Sequence, residues 1–368
     1  MTYKSAGLGV FPIFCIMMLG VGLMNHVIVL PPLLNVAKRD AWISVLISLP
    51  AYLAWIVILY FVMKRTQQQA ILPWLRERFG PLASGIMRCF FVLYLFFIAL
   101  ITLKETVTWT HGTYLSRTPE LALSLSLMAL CFAAAWLGIR AIAIVSGILL
   151  PFVILFGEFV MVANLPRKDY RILTPMLEDG FMPVLGGCLY VGGGLVELLV
   201  LLLLQHQLKK RLRFWPLALL GVFLTGLILG PVTGAIGEFG PAIAADLRYP
   251  SFEEWRLVTL GRYIQHVDFL SIYQWLSGAF VRLSVSVYLM MELMTDGKPS
   301  RHLRSIIMLS FACVALIVSA ALPYSDIQYL AFLRTIYLPT SLWLATGVLV
   351  ILLLLVLIPT RSRVRTNG

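Results

Sequence analysis

Between Phe181 and Leu204 the sequence is apolar for long enough to cross a bilayer as a helix, yet it carries Gly186, Gly187, Gly192, Gly193, Gly194 and the carboxylate of Glu197. Glycine has the most backbone entropy to lose and no side chain to shield the backbone, so three in a row near mid-span favour an unwound segment. Lipid tolerates such a segment only where the freed amides and carbonyls are buried in protein or line a cavity. Gly192 to Glu197 is therefore read as one wall of a central site.

The first apolar run, Ala6 to Leu30, repeats the pattern. Gly20 and Gly22 lie about as deep in it as Gly192–Gly194 lie in the later run, on the order of 17 Å at helical rise, with Asn25 just beyond. Interrupted helices at corresponding depths of two halves point to the binding site of an inverted-repeat fold. The competing reading of each cluster is close packing against a neighbouring helix.

With 60% hydrophobic and 12% charged residues in 368, the chain is a polytopic membrane protein. Apolar runs separated by charge clusters predict about ten transmembrane helices, roughly 7–33, 41–63, 83–110, 119–138, 141–164, 181–207, 215–239, 268–294, 303–322 and 335–358. They form a single integral membrane domain over 1–368, with repeats at about 6–165 and 180–358. The first run is too long for a cleaved signal core and is expected to stay as a span. An even number of spans puts both termini on one side. Basic residues concentrate on that side (Lys64, Arg65, Arg76, Arg78, Lys209, Lys210, Arg211 and Arg213 among them), which favours cytoplasmic termini. The same flanking charges account for a net charge of +12 without invoking nucleic acid. Cys15, Cys89, Cys131, Cys188 and Cys313 all fall in apolar runs with no metal or disulfide spacing.

Two loops carry helical patterns. Ile71, Trp74, Leu75 and Phe79 recur at helical spacing within Gln67–Phe79 and predict a short surface helix. Ser251 is expected to cap a second one through Glu253 and Glu254, with Trp255, Leu257, Val258, Leu260 and Ile264 as its apolar side.

Charged groups inside spans are costly and are functional candidates. Glu197 leads, either as a ligand contact or as a paired carboxyl holding the broken helix together. Arg282 shares a helical stripe with Ser271, Gln274 and Gly278, which should face the interior. Its guanidinium serves either a ligand or a salt bridge to Glu197 or Glu158, since an unpaired arginine near mid-membrane costs at least about 2.5 kcal/mol. Glu105, near Thr102 and Lys104, is placed toward the outer end of the third span, lining an access route. Glu158 and Asn164 are read as structural. No P-loop, nucleophile elbow or metal-ligand spacing is present and the glycines are no dinucleotide fingerprint, so no enzymatic activity, cofactor or metal is expected.

Leu30-Pro31-Pro32, then Arg39-Asp40-Ala41-Trp42-Ile43-Ser44, and above all the stretch from Val267 to Ser284 (VDFLSIYQWLSGAFVRLS) resemble the B subunit of the spore-germination nutrient receptors. This is the GerAB-type family, within the amino acid–polyamine–organocation transporter superfamily. The resemblance covers essentially the whole chain. It implies a five-plus-five, LeuT-like inverted repeat with broken helices 1 and 6. It further implies nutrient sensing, commonly of an amino acid, in the inner membrane of the spore beside an A subunit and a lipoprotein C subunit. A working permease for an amino acid or another small solute, or a mainly structural subunit, are the rival readings. In the expected site Gly20, Gly22, Asn25, Gly192, Gly193, Gly194, Glu197 and Gln274 hold a small zwitterion, mostly through backbone amides after Gly22 and carbonyls before Gly192. Gly193→Leu would then block the site, and Gly193→Ala would weaken it less.

Overall fold

The computed structural model describes residues 7–259, 266–295 and 303–359. Among them the chain is helical throughout, with nine stretches long and apolar enough to span a membrane. The first, Val10–Arg65, is far longer than a bilayer is thick and breaks at Lys38, whose φ of 43° ends the helix. It thus contains the first two expected spans, and ten result.

In order, the α-helices are α1 Val10–Leu23, α2 Leu30–Ala37, α3 Ala41–Arg65, α4 Ile71–Thr113, α5 Glu120–Leu137, α6 Ile139–Asn164, α7 Met182–Leu195, α8 Leu201–Leu204, α9 Phe214–Phe239, α10 Pro241–Asp246, α11 Pro250–Arg256, α12 Leu270–Met294, α13 Leu303–Ala320, α14 Asp326–Phe332 and α15 Leu338–Leu357. Helix α4 bends at Gly80, whose φ of 87° sets the expected surface helix at an angle to the third span. Ile71, Trp74 and Leu75 are buried there, as their spacing requires.

Side-chain and loop contacts sort the connections onto two ends. At one end Leu8 pairs with Gln207 and Lys209, Gln205 Nε2 donates to the carbonyl of Gln69 (2.7 Å), and Arg78 reaches the carbonyl of Ile358. Both ends of the described chain lie there. At the other, Asp40 accepts from the amide of Leu177 (3.1 Å), Asp169 N donates to the carbonyl of Gly237 (2.9 Å), and Tyr114 bonds Asp268.

The expected unwinding at the glycines does not occur. Helix α1 runs through Gly20 and Gly22, and α7 through Gly192, Gly193 and Gly194. The winding changes just beyond each cluster, to a π-helical turn at Met24–Ile28 and to a tighter 3₁₀ segment at Val196–Val200. Proline explains the first. Pro31 and Pro32 have no N–H to give to the α-helical acceptors Val27 and Ile28, and both of those carbonyls lie in the π turn. The tenth span repeats this: its π turn, Leu333–Tyr337, contains Thr335, the acceptor that Pro339 cannot pair.

The glycines are used for approach instead. A Cβ on Gly193 would lie 2.4 Å from the backbone oxygen of Leu338, and one on Gly194 would lie 2.5 Å from Asn25 Oδ1. Helices 6 and 10 therefore touch backbone to backbone, and the graded effect expected for Gly193 variants is replaced by a steric one. Even Gly193→Ala should cost about 1–3 kcal/mol through overpacking and lower the yield of folded protein. Normal yield and thermal stability in that variant would contradict this packing.

Helix α11 also differs from expectation at its start. Pro250 takes the first helical position, suited to a residue without an N–H, and Tyr249 rather than Ser251 precedes the helix. The Ser251 hydroxyl instead donates to the carbonyl of His26 (2.8 Å), inside the first π turn. Trp255 and Val258 are buried as expected, whereas Leu260 and Ile264 lie outside the described residues.

Candidate functional site

Five spans meet at Arg282. The stripe on α12 faces the interior as its period requires: Ser271 is buried, and Gly278 lets α12 approach to where a Cβ would lie 3.2 Å from the Leu19 carbonyl. Arg282, with 3% of its side chain exposed, forms a two-pronged pair with Glu197, itself 1% exposed. Nη2 donates to Glu197 Oε1 at 2.7 Å, and Nη1 donates to Oε2 and, at 3.1 Å, to the carbonyl of Gly20. Nε donates to Thr102 Oγ1 at 2.6 Å, and the Tyr337 hydroxyl donates to Glu197 Oε1 at 3.0 Å. Spans 1, 3, 6, 8 and 10 are thereby joined. Of the two carboxylates weighed as partners for Arg282, Glu197 is the one it meets, while Glu158 sits on the exposed face of α6.

Beside the pair lies a cavity of about 30 Å³ lined by Gly20, Val21, Glu197, Val200, Arg282 and Ser286, among others. That volume suits about one water-sized molecule. The π turn carries Asn25, which lies against Gly194 and is not among the residues lining this cavity. This side chain is fully buried, and neither its Oδ1 nor its Nδ2 has a hydrogen-bond partner in the protein. Buried amide groups are nearly always satisfied, so an orphan of this kind calls for an explanation.

A model of the family described as spore germination protein matches residues 8–326. The chain belongs to the spore germination protein family. It is 40% identical over 333 residues to "Spore germination protein XB" of Bacillus anthracis, covering 90% of this chain and 92% of the relative. It is 25% identical over 277 residues to "Putative spore germination protein YfkT" of Bacillus subtilis (strain 168), covering 74% of each. Together with its apolar helices, this makes it a germination-related integral membrane protein.

The remaining candidates of this spore germination protein separate from the centre. Gln274, grouped above with the ligand contacts, is spent on structure: Oε1 accepts from Trp255 Nε1 (2.8 Å) and Nε2 donates to the carbonyl of Val153 (2.9 Å). Gly22, placed above at a free backbone amide, lies inside α1 and packs near Leu227. Glu105 is buried and clamped by Arg248 at 2.8 and 2.9 Å, and the same guanidinium holds Asp326. Trp109 and Trp275 stack at 4.1 Å one turn beyond Glu105 along α4, with Tyr249 and Phe252 against them. The third span is thus fastened to the loop before α11 and to the start of α14, so Glu105 belongs to a clamp between these segments.

A larger cavity, about 140 Å³, opens toward the end that holds the termini and is lined by Arg76, Arg88, Leu203, His206, Leu289 and Glu292, among others. It continues one line of residues. Glu197, Val200, Leu203 and His206 follow each other along span 6, as Arg282, Ser286, Leu289 and Glu292 do along α12. Tyr337 and Thr102 are site residues whose spacing alone did not mark them as such. For Tyr337 the available signal was a proline two residues on, as Pro31 and Pro32 follow Asn25.

Proposed function

We propose that this protein is the nutrient-binding membrane subunit of a spore germinant receptor, with a small amino acid as its ligand. The observation that carries this reading is the buried Glu197–Arg282 pair at the junction of five spans, with a small cavity beside it. A zwitterion brings one carboxylate and one ammonium. It can exchange partners with a guanidinium and a carboxylate without changing the buried charge, where a singly charged ligand would leave one group uncompensated. Asn25 then offers the ligand an acceptor and two donors. A cavity of one water's volume admits an amino acid only when the helices around the pair part, which favours a small side chain.

The reading includes the five-plus-five repeat, supported by non-α winding in both the first and the sixth span, at Met24–Ile28 and at Val196–Val200. It also includes cytoplasmic termini in the inner spore membrane, an A subunit and a lipoprotein C subunit as partners, and action by binding and movement without bond chemistry or cofactor. The line of cavities along α12 favours a second reading, a permease for the same class of solute. Equilibrium binding of labelled amino acids to the purified chain, with uptake into sealed vesicles, tests both. Binding without accumulation is expected. Accumulation favours the permease, and an absence of binding by any amino acid would overturn both.

A further inference from the structure

A second polar cluster lies away from the central pair, at the end opposite the termini. Lys168 follows the turn after α6, Glu238 is in the last turn of α9, and Glu254 is on α11. Lys168 Nζ lies 3.1 Å from Glu254 Oε2 and 3.3 Å from Glu238 Oε1, with side-chain exposures of 2%, 6% and 0% for Lys168, Glu254 and Glu238. A Cβ on Gly234 would come within 2.7 Å of the Glu254 carboxylate and 2.8 Å of the ammonium, so α9 presents a glycine to this cluster. Beyond the Lys168 ammonium at Glu238 Oε1, neither Glu238 Oε2 nor Glu254 Oε1 has a hydrogen-bond donor.

One ammonium facing two carboxylates leaves a net negative charge if all three ionise. Burying it is expensive, and so is burying two acceptors without donors. We propose that Lys168, Glu238 and Glu254 form a proton-binding site that holds one proton in this conformation. The proton comes from solvent, turns one carboxylate into a carboxylic acid and brings the cluster to neutrality. Its O–H supplies a donor that the open acceptors lack. A proton needs no volume, whereas a metal ion would want more ligands than gather here: among the described residues no group of three or more His, Cys, Asp or Glu does so.

Of the surrounding charges Arg167 also acts on Glu238, but it lies exposed, where solvent screens it, and reaches Thr259 (3.0 Å). Glu253 pairs with Arg256 on the exposed side of α11, and Asn164 donates to the backbone carbonyl of Glu254 (2.7 Å). Tyr170 lies near Lys168, and Asp169 is taken by Arg171. His26 meets α11 through its carbonyl, and its ring contacts the carbonyl of Leu227. Burial pushes the Glu254 carboxyl up to about 8, against the attraction of Lys168 and with the repulsion of Glu238.

Helix α11 links this cluster to the centre, because Ser251 holds the π turn that carries Asn25. Deprotonation would put excess negative charge under α11 and loosen that hold. This coupling rests on the nutrient reading; the binding of the proton does not.

Infrared titration of the purified full-length protein without any amino acid tests the site itself. A protonated-carboxyl band is expected at about pH 6 and should fade through about pH 8. Glu238→Gln and Glu254→Gln each leave one lysine with one carboxylate, a neutral pair that should fold, and each should lack the band. The folded state binds this proton more tightly than the unfolded chain. The stabilisation is therefore complete below the ordinary value of 4.5 and is lost as pH rises through about 8. The wild-type melting temperature should accordingly fall between about pH 4.5 and about pH 8, and both variants should lose that slope. A titrating band that persists in either variant, or an unchanged slope in both, overturns the proposal.

Discussion

Replacing Asn25 with leucine is expected to make the protein more stable and, on the proposed function, deaf to nutrient. The two side chains share a branched shape, but leucine has no polar atoms. In the native chain Oδ1 and Nδ2 of Asn25 are both fully buried without partners, and each such group costs about 1–3 kcal/mol. Removing both should add on the order of 2 kcal/mol to stability. A side chain retained for packing would behave oppositely, because its replacement would disturb the contact with Gly194 and Val29 and lower the melting temperature. Thermal unfolding of the purified variant, nutrient-triggered germination of spores carrying it and amino-acid binding, with membrane abundance checked, separate the two. A destabilised Asn25→Leu protein that still binds amino acid would remove Asn25 from the site.

What the sequence disclosed followed from how local each property is. Span lengths and the interior stripe of α12 were legible because hydrophobic length and helical period are written within one element, and the burial of Ser271, Gly278 and Arg282 follows directly. The irregular turns fall beyond the glycines because, of the two roles open to a glycine cluster, backbone freedom and close packing, these clusters serve the second. In a packed bundle a glycine also permits contact, as Gly193 does with Leu338, and that contact offsets the helix-propensity cost of about 1 kcal/mol. Proline leaves no such choice, since its missing N–H frees a particular carbonyl, and Pro31, Pro32 and Pro339 mark both π turns. Pairings distant in sequence were harder to read. Gln274 looked available until Trp255 and Val153 met both ends of its amide, and nothing in the loop sequence brings Lys168 to Glu238 and Glu254.

The largest effects are expected at Glu197 and Arg282. Glu197→Ala leaves a buried guanidinium with Thr102 and the Gly20 carbonyl as its remaining partners, and breaking a buried pair from one side costs about 3–5 kcal/mol. The expected result is a collapse in membrane abundance, which taken alone would say nothing of ligand binding. Glu197→Gln should be milder, since its amide oxygen can still accept from Arg282, but it should raise the nutrient concentration required for a response. The decisive protein is Glu197→Leu/Arg282→Met. Exchanging a whole buried pair for apolar side chains of similar size is often neutral or stabilising by about 1–4 kcal/mol, and Thr102 keeps its bond to the Ile98 carbonyl. Tyr337 would lose its acceptor, so Tyr337→Phe is added to avoid a new orphan. This triple variant should recover abundance and melting temperature while remaining unable to bind amino acid or trigger germination, because no charges remain for a zwitterion to exchange with. If the recovered protein responds to nutrient at the wild-type concentration, the pair only braces five helices and the ligand must be held elsewhere. If abundance does not recover, the bonds from Arg282 to Thr102 and Gly20 matter more to the fold than the charges they neutralise.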